Sequence, residues 1–401
     1  MTHKILQINA SDRNCEMTEN PFGFNPLETV FKDLMNMLSG QRDVHKMVAL
    51  QMATSIASSS DGENVDPSLR MKVESMVDIA RNELLLNSPL GSSAPLSSAK
   101  IISANGVARV ENLLARIKPL TDILTTQTES SLTNPPSTAP ELSGIPLGQI
   151  MAMTGPMMIG VNIGSAVGHL VSEIHGDSDI LWPRYGDEIA IYPHRLRQFA
   201  QDWSLDLDAY LMWTLINQLV SNTVIESSHI STELNAIAKR HITSMSSAAD
   251  ALTNQLGEMD LSDPTALERL GQDPSQLFSV AKNDEQDRLV AESQPFLAVV
   301  VALIDWFTLT SAKRLIGPTE SINEARVRVR RERFEGLDLF EALFGIGVSS
   351  ATYEVGNHFI FGVVERDAEE KLIKIVEDPN YMPTPSEVEA PGLWLARIET
   401  I

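Results

Sequence analysis

The chain has little that would support a disulfide, a thiolate metal cluster or an extracellular location. Its 401 residues contain a single cysteine, Cys15. No disulfide can therefore form within the chain, and no cluster of thiolates can bind zinc. The N-terminal residues also lack the long apolar run of a signal peptide. We expect a cytoplasmic protein in a reducing compartment.

Basic residues are scarce relative to acidic ones. The sequence has 31 Lys and Arg against 53 Asp and Glu, which gives a net charge of −22. Binding to nucleic acid requires clustered Lys and Arg to neutralise phosphates, so we expect no nucleic-acid partner. Hydrophobic residues make up 43% of the chain and charged residues 21%. That composition is typical of a globular protein with a buried core.

The common catalytic motifs are missing. The sequence has no Gly-x-Ser-x-Gly elbow, no phosphate-binding loop, no dinucleotide fingerprint and no His-Glu-x-x-His. Two pairs, His169 with Glu173 and His229 with Glu233, place two metal-ligating side chains one helical turn apart. Together with Glu226 they are weak candidates for metal ligands. Two ligands do not make a site, and the alternative interpretation is a surface pair or a capped helix end.

A long uncharged segment raises the question of a membrane span. Residues 142–171 contain no Asp, Glu, Lys or Arg, and that length could cross a bilayer. However, Gly155-Pro156 lies near its middle, polar side chains occupy its second half, and its flanks lack Lys and Arg. We expect a buried helix of a soluble protein and no membrane contact. Three glycines at four-residue spacing would let a neighbouring helix approach closely: Gly160, Gly164 and Gly168.

Helical periodicity dominates the chain, and strand-like alternation is confined to a weak stretch at 188–192. The class is mainly α, multi-helical with few or no strands. The apolar pattern predicts helices over residues 26–38, 44–56, 70–86, 106–124, 193–202, 206–225, 230–254, 284–316, 320–334 and 337–346.

Composition suggests one boundary. Residues 1–25 are polar and predict a flexible lead-in. The stretch 125–144 is rich in Thr, Ser and Pro and predicts a non-helical linker. We therefore expect four parts: the lead-in 1–25, an N-terminal helical region 26–130, a linker 131–145 and a helical domain 146–401.

Several separated blocks carry a resemblance to a known family. The C-terminal third has an Arg-rich run, a Leu/Gly helix, a Tyr-x-x-Gly-x-x-Phe block, a Met-Pro-Thr turn followed by Glu, and a final Trp-x-x-Arg. These blocks lie at 326–334, 336–345, 353–359, 378–387 and 391–397. Residues 164–168 with 175–179, and 21–26, extend the resemblance toward the N-terminus. The set resembles an actinobacterial family of zincin-like zinc-dependent metalloproteases or hydrolases, one branch of which is associated with deazaflavin biosynthesis. The resemblance implies a multi-helical zincin-like metallopeptidase fold over residues 146–401.

The resemblance also implies where catalysis would lie. In the family, a Trp on one helix is followed by His-Glu-x-x-His, and counting from Trp213 these positions fall on Asn217, Gln218 and Ser221. Two His one turn apart would bind zinc, and the Glu would accept a proton from zinc-bound water. The family's third ligand is an acidic residue on a later helix. It falls on Asp305 in one register and on Ile304 in the other.

We therefore predict a degenerate zinc motif. Asn and Ser are poor zinc ligands, and Gln cannot act as a base near neutral pH. Gln218 would be the vestigial catalytic position, and Asn217, Ser221 and Asp305 the vestigial metal positions. We expect no cofactor, although the family would imply zinc. The predicted function is that of an inactive metalloprotease homologue that binds a protein or peptide partner. The alternative is an active metal-dependent hydrolase with unrecognised ligands.

Overall fold

A computed structural model of the chain describes most residues after position 43. The described ranges are 44–57, 64–98, 100–133, 141–142, 145–183, 188–258, 284–331 and 334–400. The predicted lead-in 1–25 and the predicted helix 26–38 lie outside them. Val44–Ile401 form one compact unit.

Helices dominate the described residues, which confirms the mainly α class. In the first half they are α1 (Val44–Ala57), α2 (Pro67–Asn87), α3 (Ala94–Ser98), α4 (Val107–Arg116), α5 (Lys118–Thr133), α6 (Leu147–Glu173) and α7 (Pro193–Asp202). In the second half they are α8 (Leu207–Ile225), α9 (Ser228–Glu258), α10 (Asp284–Ile316), α11 (Glu320–Arg331), α12 (Glu335–Phe344), α13 (Ser350–Val364), α14 (Ile373–Glu377), α15 (Pro385–Glu389) and α16 (Pro391–Ile398).

Four short strands form two small sheets in the described part of the chain. β1 (Lys100–Ser103) pairs in parallel with β4 (Glu188–Ile191), which covers all but the last residue of the stretch 188–192 predicted as extended. Lys100 lies opposite Glu188, and their side chains form an ion pair of 2.8 Å. β2 (Glu141–Leu142) pairs antiparallel with β3 (Ile145–Pro146). The sheets are too small to form a layer, so the core consists of helices packed on helices.

The glycine-bearing helix α6 packs closely against α1. A Cβ added at Gly160 would lie 2.6 Å from the carbonyl oxygen of His45, and one at Gly164 would lie 2.6 Å from that of Ala49. At Gly168 the first contact would be the side chain of Ile56, at 2.7 Å. Only residues without a side chain permit this spacing. The predicted close approach at the three glycines is therefore confirmed.

Helix α8 is the central element. The Asp206 side chain caps its N-terminus by accepting a hydrogen bond of 2.8 Å from the backbone N–H of Ala209. Every residue from Tyr210 to Ile225 is buried. Because α8 contacts α2 on one side and α10 on another, polar side chains on it must find partners inside the protein.

Helix α10 also lies in the core, between α8 and α13. It is long and apolar enough to cross a membrane by length and composition, and it is the helix among the described residues that passes this test. In its most apolar stretch, 67% of the residues are buried inside the protein. A Cβ added at Gly356 of α13 would lie 2.0 Å from the backbone oxygen of Ala298 on α10. Such close packing is typical of a core helix.

The predicted linker requires one correction. Helix α5 continues to Thr133, so the first part of the stretch predicted as non-helical is helical. The hydroxyls of Thr125 and Thr126 donate to the carbonyl oxygens of Thr121 and Asp122, one turn earlier. These bonds satisfy the hydroxyls within the helix. Residues 134–140 and 143–144 lie outside the described ranges. Helices from both sides of the predicted linker 131–145 pack together, and the four-part division itself stays a prediction.

Candidate functional site

A cavity of about 370 Å³ lies between the C-terminal end of α6, the middle of α8, and helices α10, α11 and α12. Three of the residues singled out from sequence line it: Asn217, Ser221 and Asp305. Ile304, the alternative register for the third ligand, lines it as well. The fourth position, Gln218, is fully buried behind the wall. The fold therefore brings positions that are far apart in sequence, 217 and 221 on α8 and 304 and 305 on α10, to the same cavity.

Gln218 holds the short turn Asp177–Asp179 against α8. Its side-chain oxygen accepts a hydrogen bond of 2.9 Å from the backbone N–H of Ser178. Its amide nitrogen donates to Oδ1 of Asp179 at 2.7 Å. A Cβ at Gly176 would lie 2.5 Å from the Gln218 side-chain oxygen, so a glycine there leaves room for the amide. Both ends of this amide are used inside the protein.

Ser221 and Asn217 are also engaged. The Ser221 hydroxyl donates to the carbonyl oxygen of Ser178 at 2.7 Å, on the same turn that Gln218 holds. The Asn217 amide nitrogen donates to the hydroxyl of Thr308 on α10, at 3.2 Å. These bonds connect α8 to its neighbours. A buried amide or hydroxyl that lost its partner would cost about 1–3 kcal/mol.

Asp305 is occupied by an arginine. Both carboxylate oxygens accept hydrogen bonds from Arg330 of α11 in a bidentate arrangement. The Arg330 guanidinium also lies 4.0 Å from the centroid of the Tyr353 ring. Burial acts to lower the pKa of Arg330, but the Asp305 carboxylate outweighs it and raises that pKa. The Asp305 carboxylate, predicted as a vestigial metal position, therefore binds the guanidinium of Arg330.

A second arginine of α11 meets a buried histidine in the same wall. Arg326 donates to Nδ1 of His175 at 3.0 Å and lies over the Trp213 ring at 5.1 Å. Burial lowers the pKa of His175, and the Arg326 charge acts in the same direction. The imidazole is therefore neutral, with Nδ1 as acceptor and the proton on Nε2.

Asp179 stays ionised beside this histidine. Burial acts to raise its pKa, but hydrogen bonding with His175 and the charge of Arg326 lower it to about 2. The backbone N–H of His175 donates to Oδ2 of Asp179 at 2.8 Å. This carboxylate thus faces donors on both oxygens and is held in place.

The weaker metal candidates are dispersed. Nδ1 of His169 lies 3.5 Å from Glu335, and Nε2 of His229 donates to the carbonyl oxygen of Ile375 at 2.8 Å. Glu233 pairs with Arg240 at 3.0 Å, and Glu173 lines the cavity. Within the described ranges, no group of three or more His, Cys, Asp and Glu is placed to hold a metal ion.

The sequence interpretation missed the two arginines that enter the cavity. From sequence alone, the Arg-rich run 326–333 predicts a salt-bridged helix that docks against an acidic protein, and Arg328 does pair with Glu324 on the outside. Arg326 and Arg330, however, are one turn apart and line the cavity together with Val329. The signal was available: Ile322, Ala325 and Val329 recur at helical spacing and mark the inward face of α11.

The described cavity wall offers little for catalysis by its own side chains. Gln218 cannot accept a proton, and the Ser221 hydroxyl donates to a carbonyl, with no base bonded to it. Asp305 is neutralised by Arg330. The arrangement is suited to binding, because it combines apolar side chains with a few fixed polar groups.

Comparisons with known proteins agree with this fold. A sequence model described as zincin-like metallopeptidase matches residues 44–395. The chain also resembles the crystal structure of a "putative hydrolase with a novel fold" from Chloroflexus aurantiacus. The TM-score is 0.58 at 15% identity, covering 88% of this chain and 98% of the other. At that identity the likeness concerns the fold. None of the curated proteins compared matches the chain.

The family match corrects one expectation. A zincin-like metallopeptidase family implies zinc, so the expectation that no cofactor belongs with this chain is wrong at the level of the family. The donor set at the described cavity does not fit zinc, however. Asn217 and Ser221 offer an amide and a hydroxyl, and the Asp305 carboxylate is held by Arg330.

The match spans nearly all of the residues that the structure describes, and the helices it covers build the cavity. The chain belongs to the zincin-like metallopeptidase family.

Proposed function

We propose that this protein binds a peptide segment of a partner in the cavity without cleaving it. One observation carries the proposal: Gln218 and Asp305 are both consumed by hydrogen bonds within the protein. In a zincin these positions would supply the base and a metal ligand. Here Gln218 holds the 177–179 turn and Asp305 holds α11. These hydrogen bonds would have to break before either side chain could contact a substrate.

The cavity supports binding in its size and lining. A volume of about 370 Å³ lies in the range of small-ligand sites and accommodates one or two side chains of a peptide. Its wall combines apolar side chains such as Val301 and Phe340 with fixed polar groups. Buried ion pairs and amide hydrogen bonds keep that wall rigid, which lowers the entropy cost of binding.

The experiment measures binding and cleavage in one sample. The purified protein is incubated with an equimolar mixture of random hexapeptides, with and without added Zn²⁺. Peptides retained on ultrafiltration and any fragments are then identified by mass spectrometry. We expect retention of a subset and no fragments. Fragments that appear at a rate proportional to protein concentration, with or without added Zn²⁺, would contradict the proposal.

Two substitutions on α11 provide a matched comparison. Val329 lines the cavity, whereas Val327 is exposed on the same helix. Val329→Trp fills the cavity and should abolish peptide retention. Val327→Trp adds the same side chain outside it and should leave retention unchanged. Circular dichroism of both variants checks that the helices are intact. Equal retention by both would place the binding elsewhere.

The family match favours a second candidate, an active metal-dependent hydrolase with ligands other than Asn217, Ser221 and Asp305. His229, Glu226, Glu233, His169 and Glu173 are the side chains that we would test first. Cleavage that depends on added metal and is lost in one of their alanine variants would support this candidate instead.

Four finer statements belong to the same proposal. We propose that Asn217, Gln218 and Ser221 stand where relatives carry a His-Glu-x-x-His motif, and their place on one buried helix supports this. The order of the C-terminal sequence blocks supports an actinobacterial kinship. The low cysteine content and the net charge of −22 support a cytoplasmic location and a partner other than nucleic acid.

A further inference from the structure

Glu173 is an unmatched acid in the cavity wall. It is the last residue of α6 and lines the cavity, and its Oε2 is buried without a hydrogen-bond partner. Among the described side chains, no other carboxylate oxygen is in that position. Asp305 and Asp179, in the same wall, both have donors. Glu173 thus differs from its neighbours in having a buried oxygen that no donor reaches.

The charges that face Glu173 are mostly of its own sign. Burial is the main cause that raises its pKa to about 7. Glu335 and Asp338 of α12 act in the same direction, and Arg195 of α7 and the backbone N–H of Gly336 oppose them. His169, one turn earlier on α6, faces Glu335 at 3.5 Å. The position therefore favours an added positive charge.

The wall beside Glu173 combines acidic and apolar side chains, and the two arginines that also line the cavity are hydrogen-bonded to His175 and Asp305. Asp338 and Glu341, one turn apart on α12, line the cavity together with Leu337 and Phe340. A Lys or Arg side chain complements this combination, because its aliphatic stem can pack on the apolar side chains and its cationic head can face the acidic ones. The net charge of −22 would also speed the encounter with a basic partner.

A second unmatched polar group points to a ligand in the same wall. His175 is 4% exposed and lines the cavity. Because its Nδ1 accepts from Arg326, its Nε2 carries a proton, and this atom is buried without an acceptor. A peptide supplies both kinds of group: a carbonyl oxygen that accepts and a basic side chain that donates.

We propose that the cavity binds the Lys or Arg side chain of a peptide, with Glu173 as the group that receives the cationic head. This inference rests on the proposed function and adds the chemical class of the bound residue. The affinity should depend on pH, because a protonated Glu173 offers no negative charge. The charged groups that face it are Arg195, Glu335 and Asp338, and His169 lies one turn earlier on its own helix.

The test uses three peptides that differ in one side chain: acetyl-Gly-Lys-Gly-amide and its Gln and Glu counterparts. Isothermal titration calorimetry at pH 8 measures each against the full-length protein. We expect the Lys peptide to bind about tenfold more tightly than the Gln peptide, and the Glu peptide to bind weakest. The affinity for the Lys peptide should fall as the pH is lowered from 8 to 6.

Two glutamine variants separate Glu173 from the general acidity of this end of the cavity. Glu173→Gln removes the charge from the wall and should weaken the Lys peptide about tenfold. Glu335→Gln removes the same charge from a neighbouring side chain that is 66% exposed and does not line the cavity. Its effect should stay within about threefold, because exposed charges are screened.

The outcomes distinguish this inference from the proposed function. Equal binding of the Lys and Gln peptides, or equal loss in both variants, would overturn the role of Glu173. Tighter binding of the Gln or Glu peptide would overturn the inference while leaving a peptide-binding cavity. Failure of all three peptides to bind would overturn both. Cleavage of the Lys peptide alone would keep the preference and reject the non-cleaving function.

Discussion

Replacing Gln218 with glutamate tests whether this position now has a structural role. The variant restores the acidic side chain that a His-Glu-x-x-His motif would carry. In this protein, however, the amide nitrogen of Gln218 donates to Asp179 at 2.7 Å, in a fully buried place. A carboxylate there would face a second carboxylate, so one of the two must be protonated.

The magnitude follows from the cost of that proton. If the new carboxyl group of Q218E is protonated, it can keep both hydrogen bonds, accepting from Ser178 and donating to Asp179. Protonating a glutamate with an ordinary pKa of about 4.3 costs roughly 3.7 kcal/mol at pH 7 and roughly 1 kcal/mol at pH 5. Because the folded-state pKa of the variant's acid is raised, the penalty begins above the ordinary pKa, grows with pH up to the folded-state pKa, and disappears as pH falls toward 4. Asp179 has a pKa of about 2 in the unaltered protein and stays ionised over this range.

Urea unfolding at pH 7 and pH 5 provides the assay. We expect Q218E to lose about 3–4 kcal/mol relative to the parent at pH 7 and about 1 kcal/mol at pH 5. The control is Gln198→Glu on α7, where the exposed side chain accepts from Arg195 at 2.8 Å. That change should stay within about 0.5 kcal/mol at both pH values. A Q218E variant as stable as the parent at pH 7, or a loss independent of pH, would refute the reasoning.

Four other contacts give predictions of their own. Asp305→Asn should lower the free energy of unfolding, measured in urea, by about 2–4 kcal/mol, because it leaves Arg330 without its counterion. The double variant Asp305→Asn with Arg330→Met should lose less stability, and a larger loss in the double variant would argue against the ion pair. The double variant Asn217→Ala with Ser221→Ala should have the same zinc content as the parent by elemental analysis, because amide and hydroxyl groups are poor zinc ligands. A lower zinc content in the variant would show that these two side chains bind zinc. Gly164→Ala should lower the melting temperature, because its Cβ would lie 2.6 Å from the carbonyl oxygen of Ala49. Gly392→Ala is the control and should leave the melting temperature unchanged, because its Cβ would lie 3.8 Å from the nearest atom. Equal effects of the two variants would contradict tight packing of α1 on α6. The carboxyl of Glu173 has a folded-state pKa raised to about 7, so its ionisation destabilises the fold most strongly above that pH, and the penalty vanishes as pH falls toward 4.5. In urea unfolding, E173Q should therefore gain about 1–2 kcal/mol of stability at pH 8, after allowance for solvent screening, and nothing at pH 4.5. A gain of equal size at both pH values would rule out the titration of Glu173 as its cause.

The helices were predictable because their signals are local. The pattern predicted a helix at 206–225, and α8 runs from Leu207 to Ile225 after the Asp206 cap. The helix predicted at 284–316 coincides with α10. Apolar periodicity and capping residues act within one or two turns, so the sequence contains them directly. The Thr-rich end of α5 was mispredicted because composition does not reveal that a threonine hydroxyl can bond one turn back.

The candidate site was predictable in part. Positions 217, 218, 221 and 305 were chosen from a sequence resemblance, and three of them line one cavity while Gln218 lies directly behind its wall. Whether they descend from a catalytic motif stays a prediction. The partners of these residues could not be predicted, because Gln218 meets a residue 39 positions away and Asp305 meets one 25 positions away. No local pattern encodes such contacts.

By itself the sequence determined the mainly α class, the positions of most helices, the acidic net charge and the spacing of glycines that brings α1 against α6. Each of these follows from residue type and periodicity within a few turns. The tertiary structure alone decided that Arg330 neutralises Asp305, that Gln218 fastens the 177–179 turn, and that Glu173 has no donor for its buried oxygen. Those outcomes depend on which side chains the packing of distant helices brings within hydrogen-bond distance, and only the folded chain sets that distance.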